Sequence, residues 1–452
     1  MTRVRWVLLV LLGVLVVALG GAYLYARPLL LTGTGYAAHN ACAVQLVAGR
    51  DAAAPARDLP PNPLVPYLRT SVDAEEGTVT SSVLGLLARQ TAYHAEGLGC
   101  TLADARPELT APDPVEAGEG EWPAGEDVGP PPADVDVDAL TAAVDAAFAE
   151  GHPSGLEVGT RAVVVVHEGR IVAERYAAGF DASTRQLGWS MSKSVTGMAL
   201  GRLVADGVID VDDAGLLEAW DDERADITVE DLLRMSSGLS WDEAYDLGTE
   251  ITRMLYLEDD MGAFAADQPL AHDPGTFQSY SSGTTNILCD VMQQRSGMGT
   301  EMLHELVFEP LGMASAIIEP DADGGLVCAS YVWATPRDWA RFGLWALQGG
   351  EWDGEQLVDE TWVGDTTSLV DVETEELGHA AHWWVNETAQ GSLRFPEMPA
   401  DAFWASGHDG QRVVVVPSAD LVVVRQGFTP GLPGEELGID VLVRDVIAAL
   451  GA

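Results

Sequence analysis

The sequence predicts a mixed α+β fold behind an N-terminal membrane-spanning helix. Three observations carry this. Residues 162–166 and 171–175 are apolar runs flanking the turn His167-Glu168-Gly169-Arg170, a hairpin early in the main domain. Residues 413–416 and 421–424 are two all-apolar runs joined by a turn at Pro417, a second hairpin whose strands read as covered on both faces. Residues 6–26 hold no charge and are dominated by Val and Leu. Strands at both ends of a domain, with helical patterns between them, lack the strand-helix alternation of a doubly wound sheet. No Gly-x-Ser-x-Gly elbow occurs, which argues against the α/β-hydrolase fold.

From the N-terminus, residues 1–30 read as a transmembrane anchor or signal segment. About 20 apolar residues at about 1.5 Å each cross a hydrocarbon core of about 30 Å. Arg3 and Arg5 precede the run, so the positive-inside tendency leaves the N-terminus in the cytoplasm and everything later outside. The rival is a signal peptide cleaved near Ala18-Leu19-Gly20 or Ala26. Residues 31–110 form an accessory region, with a helix expected over 81–89. Of the four cysteines, Cys42 and Cys100 both fall in this region, and their bridge is the simplest of three pairings in an oxidising compartment. Cys289 reads as a small buried apolar side chain. Residues 111–137 turn to Pro, Gly, Glu and Asp, a composition that buries little and serves as linker or surface strap. The main domain, 138–452, starts with an amphipathic helix carrying Leu140, Val144, Ala147 and Phe148 on one face, and residues 439–450 read as its closing helix.

Chemistry concentrates on the chain's single lysine, Lys193, in Ser190-Met191-Ser192-Lys193. A serine hydroxyl needs a base. Lysine can be that base because burial lowers the pKa of an ammonium, whereas guanidinium stays charged. At a spacing of three on a helix, the amine and hydroxyl share a face. Tyr280, in Tyr280-Ser281-Ser282, lies on a polar loop leading into a helix pattern at Ile287, Leu288, Val291 and Met292. Ser406-Gly407-His408-Asp409-Gly410-Gln411 precedes the C-terminal hairpin, where small residues let a substrate lie against the backbone.

In these three motifs and their order the chain resembles the serine hydrolases related to β-lactamases, penicillin-binding proteins and 6-aminohexanoate-dimer hydrolase, from about Arg161 to the last helix. The resemblance implies a β-lactamase/transpeptidase-like antiparallel sheet flanked by helices, with an all-helical subdomain inserted between the first and third motifs. It implies Ser190 as nucleophile, Lys193 and Tyr280 as the pair supplying the base, and Ser282, His408 and Gly410 at the substrate. Backbone N–H groups of Ser190 and Gln411 would hold the oxyanion. Segment His382-Trp383-Trp384 resembles a substrate-side aromatic strand, with Trp383 as wall. Tyr-x-Ser and His408 replace the Tyr-x-Asn and second lysine of most β-lactamases, which leans toward the amide-oligomer hydrolase and esterase branch. The function implied is an exported hydrolase of small ester or amide substrates through an acyl-enzyme, without metal or organic cofactor. A penicillin-binding-protein-like D-peptidase, a β-lactamase or a non-turnover ligand sensor is the alternative.

Other residues read more plainly. His379 and His382 lack the acid partners of a catalytic zinc site and read as wall. Asp210-Val211-Asp212-Asp213 lacks the Gly and Glu of an EF-hand loop. Trp241 and Tyr245 read equally as pocket lining or packing. With 70 acidic against 24 basic side chains the formal charge is -46, which repels nucleic acid and anionic surfaces beyond the anchor and suits a high-salt habitat.

Overall fold

A computed structural model describes residues 2–133, 135–375, 378–388 and 390–451. Helix α1 (Thr2–Cys42) does not stop where its apolar run ends; it continues through a π-helical turn to Val47. Residues 4–22 are exposed, whereas Ala37, Ala38, His39, Ala41 and Cys42 are buried. The helix thus leaves the apolar span and enters the body of the protein without a break.

Strands β1 (Leu68–Asp73), β2 (Thr78–Val83), β3 (Leu87–Ala95) and β4 (Gly99–Leu102) form an antiparallel sheet in that order, packed on α1 through Val79 and Ala92 and pinned by a Cys42–Cys100 disulfide. The helix expected over 81–89 is instead the end of β2, a turn, and the start of β3. Alternation in Thr78-Val79-Thr80, with β-branched residues, outweighs the helix-like spacing of Leu84, Leu87 and Ala88. The strap that follows is docked: Trp122 is buried in the main core, and Arg341 donates to Pro123 O (2.9 Å), Gly125 O (2.6 Å) and Glu126 Oε1 (2.7 Å).

The main domain opens with α2 (Val137–Ala146), capped by the Asp136 carboxylate accepting from Ala139 N, and the hairpin β5 (Thr160–His167) and β6 (Arg170–Tyr176). Then come α3 (Met191–Ala205), α4 (Val229–Leu233), α5 (Glu250–Leu257), α6 (Met261–Ala266), α7 (Ser282–Ser296), α8 (Pro336–Leu347) and α9 (Trp362–Thr366). Strands β7 (Trp384–Val385), β8 (Phe403–Gly407), β9 (Gln411–Val416) and β10 (Leu421–Gly427) and helix α10 (Ile439–Leu450) close the chain. The main sheet runs β7-β8-β9-β10-β5-β6, antiparallel at every pairing.

Strand periodicity explains the layers. Val164, Val166, Val413, Val415, Val422 and Val424 face the core shared with α3 and α8, while Val163, Val165, Val414, Val416 and Val423 face a second core under α2 and α10. Both faces are covered, which is why these strands read as unbroken apolar runs. The architecture is the β-lactamase/transpeptidase-like fold, and α3 lies on the sheet face that carries the site; the insertion is not all-helical, because short strand pairs such as Val332–Ala334 with Ile317–Ile318 and Glu351–Trp352 with Glu355–Gln356 lie between its helices.

Candidate active site

Ser190 stands at the N-cap of α3, after Trp189, whose backbone holds a left-handed φ of 49°. A non-glycine residue there is strained, and such strain gathers at functional turns. One turn on, Lys193 is 1 % exposed. Its Nζ lies 3.1 Å from Ser190 Oγ, 2.8 Å from Ser282 Oγ and 3.1 Å from Ala329 O. Burial, opposed by the charge of Glu243, lowers the Lys193 pKa to about 8. The Tyr280 ring completes the enclosure, its centroid 4.8 Å from Nζ, with His379 (5.2 Å) and Trp384 (5.7 Å) against its other sides.

Ser282 opens α7, whose Ser281 side chain caps the helix by accepting from Thr284 N. The Ser282 hydroxyl donates to Glu243 Oε1 at 2.5 Å, and Ser282 N and Trp241 Nε1 donate to Glu243 Oε2 at 2.9 and 2.6 Å. Glu243, Ser282, Lys193 and Ser190 are therefore joined in one hydrogen-bonded line. Sequence reasoning missed Glu243. Its only signal is its place in Trp241-x-Glu243-x-Tyr245, and one carboxylate among 70 does not stand out.

An open cleft of about 380 Å³ is lined by Ser190, Glu243, Tyr245, Tyr280, Trp384, Ser406, Gly407 and His408. The His408 ring stacks on Tyr245 (centroids 4.2 Å apart) and meets Trp189 edge-on (5.6 Å). Gly407 must be glycine, because a Cβ there would lie 2.1 Å from Gly188 O, on the segment leading to Ser190.

Ser190, Lys193, Tyr280, Ser282 and His408 thus come together, and three other candidates do not. Trp383 is fully buried and stacks on Phe342 (5.7 Å); Trp384, its neighbour on the opposite face of the strand, is the cleft wall. Gln411, expected to offer its backbone N–H, is not among the residues lining the Ser190 cleft; its side chain is tied to Gly427, donating to its O (2.6 Å) and accepting from its N (3.1 Å), and lines a small cavity with Asp409. His408, which opens the helical turn His408–Gly410, is the third-motif residue that lines the cleft. Gly410 sits behind it, its carbonyl accepting from Arg425 Nη1 at 2.7 Å.

Cys289 is not a lone apolar side chain: it bridges to Cys328. That bridge ties α7 to the segment whose Ala329 carbonyl receives Lys193, and Asn286 Oδ1 holds Ala329 N at 3.1 Å. His379 and His382 are packing groups. Burial first, then Lys193 and Arg394, push His379 down to about 3, and burial, then His379 and Lys193, push His382 well below its ordinary value. His382 Nε2 lies 3.1 Å from Thr285 Oγ1. Among the described residues, no three His, Cys, Asp or Glu side chains converge as metal ligands would.

Residues 146–433 match the beta-lactamase family. The 6-aminohexanoate-dimer hydrolase of Paenarthrobacter ureafaciens is 26 % identical over 307 residues, 61 % of this chain and 74 % of that protein. The D-aminopeptidase of Brucella anthropi is 31 % identical over 189 residues, 39 % of this chain and 36 % of that protein. A family VIII carboxylesterase of known structure shares the fold at a TM-score of 0.54 and 18 % identity, covering 71 % of this chain and 99 % of that one. Matched over well over half its length, with a serine-lysine-tyrosine cluster in one cleft, the chain belongs to the beta-lactamase family of serine hydrolases.

Proposed function

We propose that this protein is an exported, membrane-anchored hydrolase that cleaves small ester or amide bonds through an acyl-enzyme on Ser190. The observation that carries the reading is the proton arrangement around Lys193. Ala329 O can only accept, and Ser282 Oγ has given its proton to Glu243, so it accepts too. A neutral Lys193 has two N–H groups for these two acceptors. Its lone pair is left for the third neighbour, the Ser190 hydroxyl at 3.1 Å.

Ser190 therefore passes its proton to Lys193 as its oxygen attacks the substrate carbonyl. The oxyanion is held by backbone N–H groups of Ser190, at the positive end of α3, and of His408, in place of Gln411; each such donor contributes about 3 to 4 kcal/mol where measured. Lys193, with Tyr280 beside it, returns the proton to the leaving alkoxide or amine. A water activated by the same pair then releases the acid. Glu243 and Ser282 hold the amine in register and raise its basicity.

Neutral or cationic substrates are preferred. The cleft presents the Glu243 carboxylate, an imidazole where β-lactamases carry a second lysine, and a strongly acidic surround. Export and anchoring are supported by the exposed apolar half of α1 and by two disulfides, which suit an oxidising compartment.

The test is Ser190→Ala in the purified protein, with fluorophosphonate labelling and turnover of p-nitrophenyl butyrate and short amides as readouts. Both are expected to vanish while the fold persists. Labelling of the variant would remove Ser190 from the mechanism, and labelling of the native protein without turnover would make it a sensor.

A further inference from the structure

The turn between β2 and β3 carries Leu84, Leu86 and Leu87, which are 57 %, 87 % and 39 % exposed, in a protein whose other large exposed apolar residues lie mostly on the first half of α1. Leu84 holds a left-handed φ of 55° and Ala88 one of 47°. Glycine or asparagine would occupy such positions at less cost, so the turn keeps leucine at a conformational penalty. A water-facing turn gains nothing from three leucines.

Their position suggests an occupant. The Tyr23 hydroxyl of α1 accepts from Ala88 N at 3.2 Å, which fixes the turn beside the last turn of the charge-free span. Tyr23 and Tyr25 stand where aromatic residues mark a bilayer interface. Tyr67, 53 % exposed, joins the same end of the sheet, since Leu84 N donates to its carbonyl at 2.9 Å.

The sheet is also chemically polarised along its strands. The β1–β2 turn, at the far end of β2 and about 20 Å away at about 3.3 Å per residue, carries exposed Asp73, Glu75 and Glu76. The leucine end has Arg69 and Arg89 exposed beside it, and residues 77–95 contain no acid in a chain with 70. Apolar tip, interfacial tyrosines and guanidiniums lie at one end, and carboxylates at the other, which matches the order of hydrocarbon, headgroup and water.

We propose that the β2–β3 turn is a second membrane contact, inserting Leu84, Leu86 and Leu87 into the outer headgroup and acyl boundary while Arg69 and Arg89 meet lipid phosphates. The proposal rests on the reading of α1 as a membrane span and adds to it a fixed orientation. One helix is an axle about which a domain can spin and tilt; a second contact beside it removes that freedom.

The experiment uses the full-length chain in phosphatidylcholine vesicles with a minority of phosphatidylglycerol. Because all four cysteines are in disulfides, Leu86→Cys and, at the opposite turn, Glu75→Cys each supply one thiol for an environment-sensitive fluorophore. Flotation of the vesicles reports the anchor, and quenching by spin-labelled lipid reports the turn. Expected is flotation of both proteins, with quenching at position 86 at least about threefold that at position 75, as for a group about 5 to 10 Å into the boundary. Flotation with equal quenching would overturn the turn contact and leave the anchor standing. Failure to float would overturn both. Crosslinking of Leu86→Cys copies to one another without lipid quenching would assign the turn to a second copy and refute the proposal. Leu84→Ser with Leu86→Ser, on the otherwise unchanged chain, is expected still to float but to lose the quenching of a fluorophore placed at Leu87→Cys.

Discussion

Replacing Glu243 by glutamine tests the hydrogen-bonded line from Glu243 to Ser190 at the end the sequence did not reveal. The carboxylate raises the Lys193 pKa against the lowering effect of burial, and the balance lies at about 8. Two hydrogen bonds in series, 2.8 and 2.5 Å, separate the two charges. At about 5 Å and an effective dielectric between about 20 and 80, their attraction is about 0.8 to 3 kcal/mol, or about 0.6 to 2 pH units. The sign follows from the charges. Removing the anion removes a group that favours the ammonium, so the lysine pKa falls and the neutral amine appears at lower pH. Glutamine still offers a carbonyl oxygen to the Ser282 hydroxyl, but its NH2 then faces the Ser282 N and Trp241 Nε1 donors, so the substitution deletes the charge together with two accepted hydrogen bonds. The assay is the pH dependence of kcat/KM for p-nitrophenyl butyrate, whose rising limb reports the base in the free enzyme. In the native enzyme that limb centres near pH 8; in Glu243→Gln it moves to lower pH by about 0.6 to 2 units. A limb that stays in place, or moves to higher pH, would refute the coupling of Glu243 to Lys193.

Lys193→Arg is expected to lower kcat/KM by at least about a thousandfold at every pH from 6 to 10, because guanidinium keeps its protons; retention of most activity would remove lysine as base. Cys289→Ser with Cys328→Ser loosens the segment bearing the Ala329 carbonyl and is expected to lower kcat roughly tenfold with KM little changed, as for a misplaced catalytic group; an unaltered kcat would limit the bridge to stability. Asp290, on α7, is pushed up to about 8 by burial and then by Asp260, Asp321 and Asp323. A folded-state pKa above the unfolded value contributes stability that is present below about pH 4 and lost as pH rises toward 8, so Asp290→Asn is expected to stabilise by about 4 kcal/mol more at pH 8.5 than at pH 5. Equal shifts in Tm at the two pH values would count against that burial.

How much the sequence revealed depended on how much each residue type competes with itself. Lys193 is the only lysine, so its partner Ser190 and the motif order could be found. Glu243 is one acid of 70, and its role exists only because the loop after α4 folds back on the start of α7. Trp383 and Trp384 differ by one position on a short strand, and one position exchanges core for cleft. The hairpins at 162–175 and 413–424 were legible because valines on both faces demand two covered layers. Residues 81–89 were not, because Leu84, Leu87 and Ala88 satisfy helical spacing equally well, and nothing local says that the leucines point away from the protein. Cys289 and Cys328 are brought together by the packing of α7 against the 326–330 segment, 39 residues apart in sequence, which spacing alone does not encode.

The second half of α1 changes what an anchor means here. His39 Nε2 lies 2.7 Å from Glu319 Oε2 at a fully buried site, and Glu319 Oε1 accepts from Cys100 N at 2.9 Å, so one carboxylate joins helix, accessory sheet and main domain. Tyr36 stacks on Tyr256 and meets Trp189, the residue before the nucleophile, edge-on at 6.3 Å. Tyr36 is ten residues beyond Ala26, about 15 Å along a continuous helix. No flexible linker intervenes between the apolar span and these contacts. With α1 spanning the bilayer as proposed, Ser190 is therefore held at a fixed height of about that distance above the membrane, not on a tether that sweeps a volume. Substrates that reach the cleft are then those that diffuse close to the surface. The β2–β3 turn would settle which way the cleft faces as they arrive.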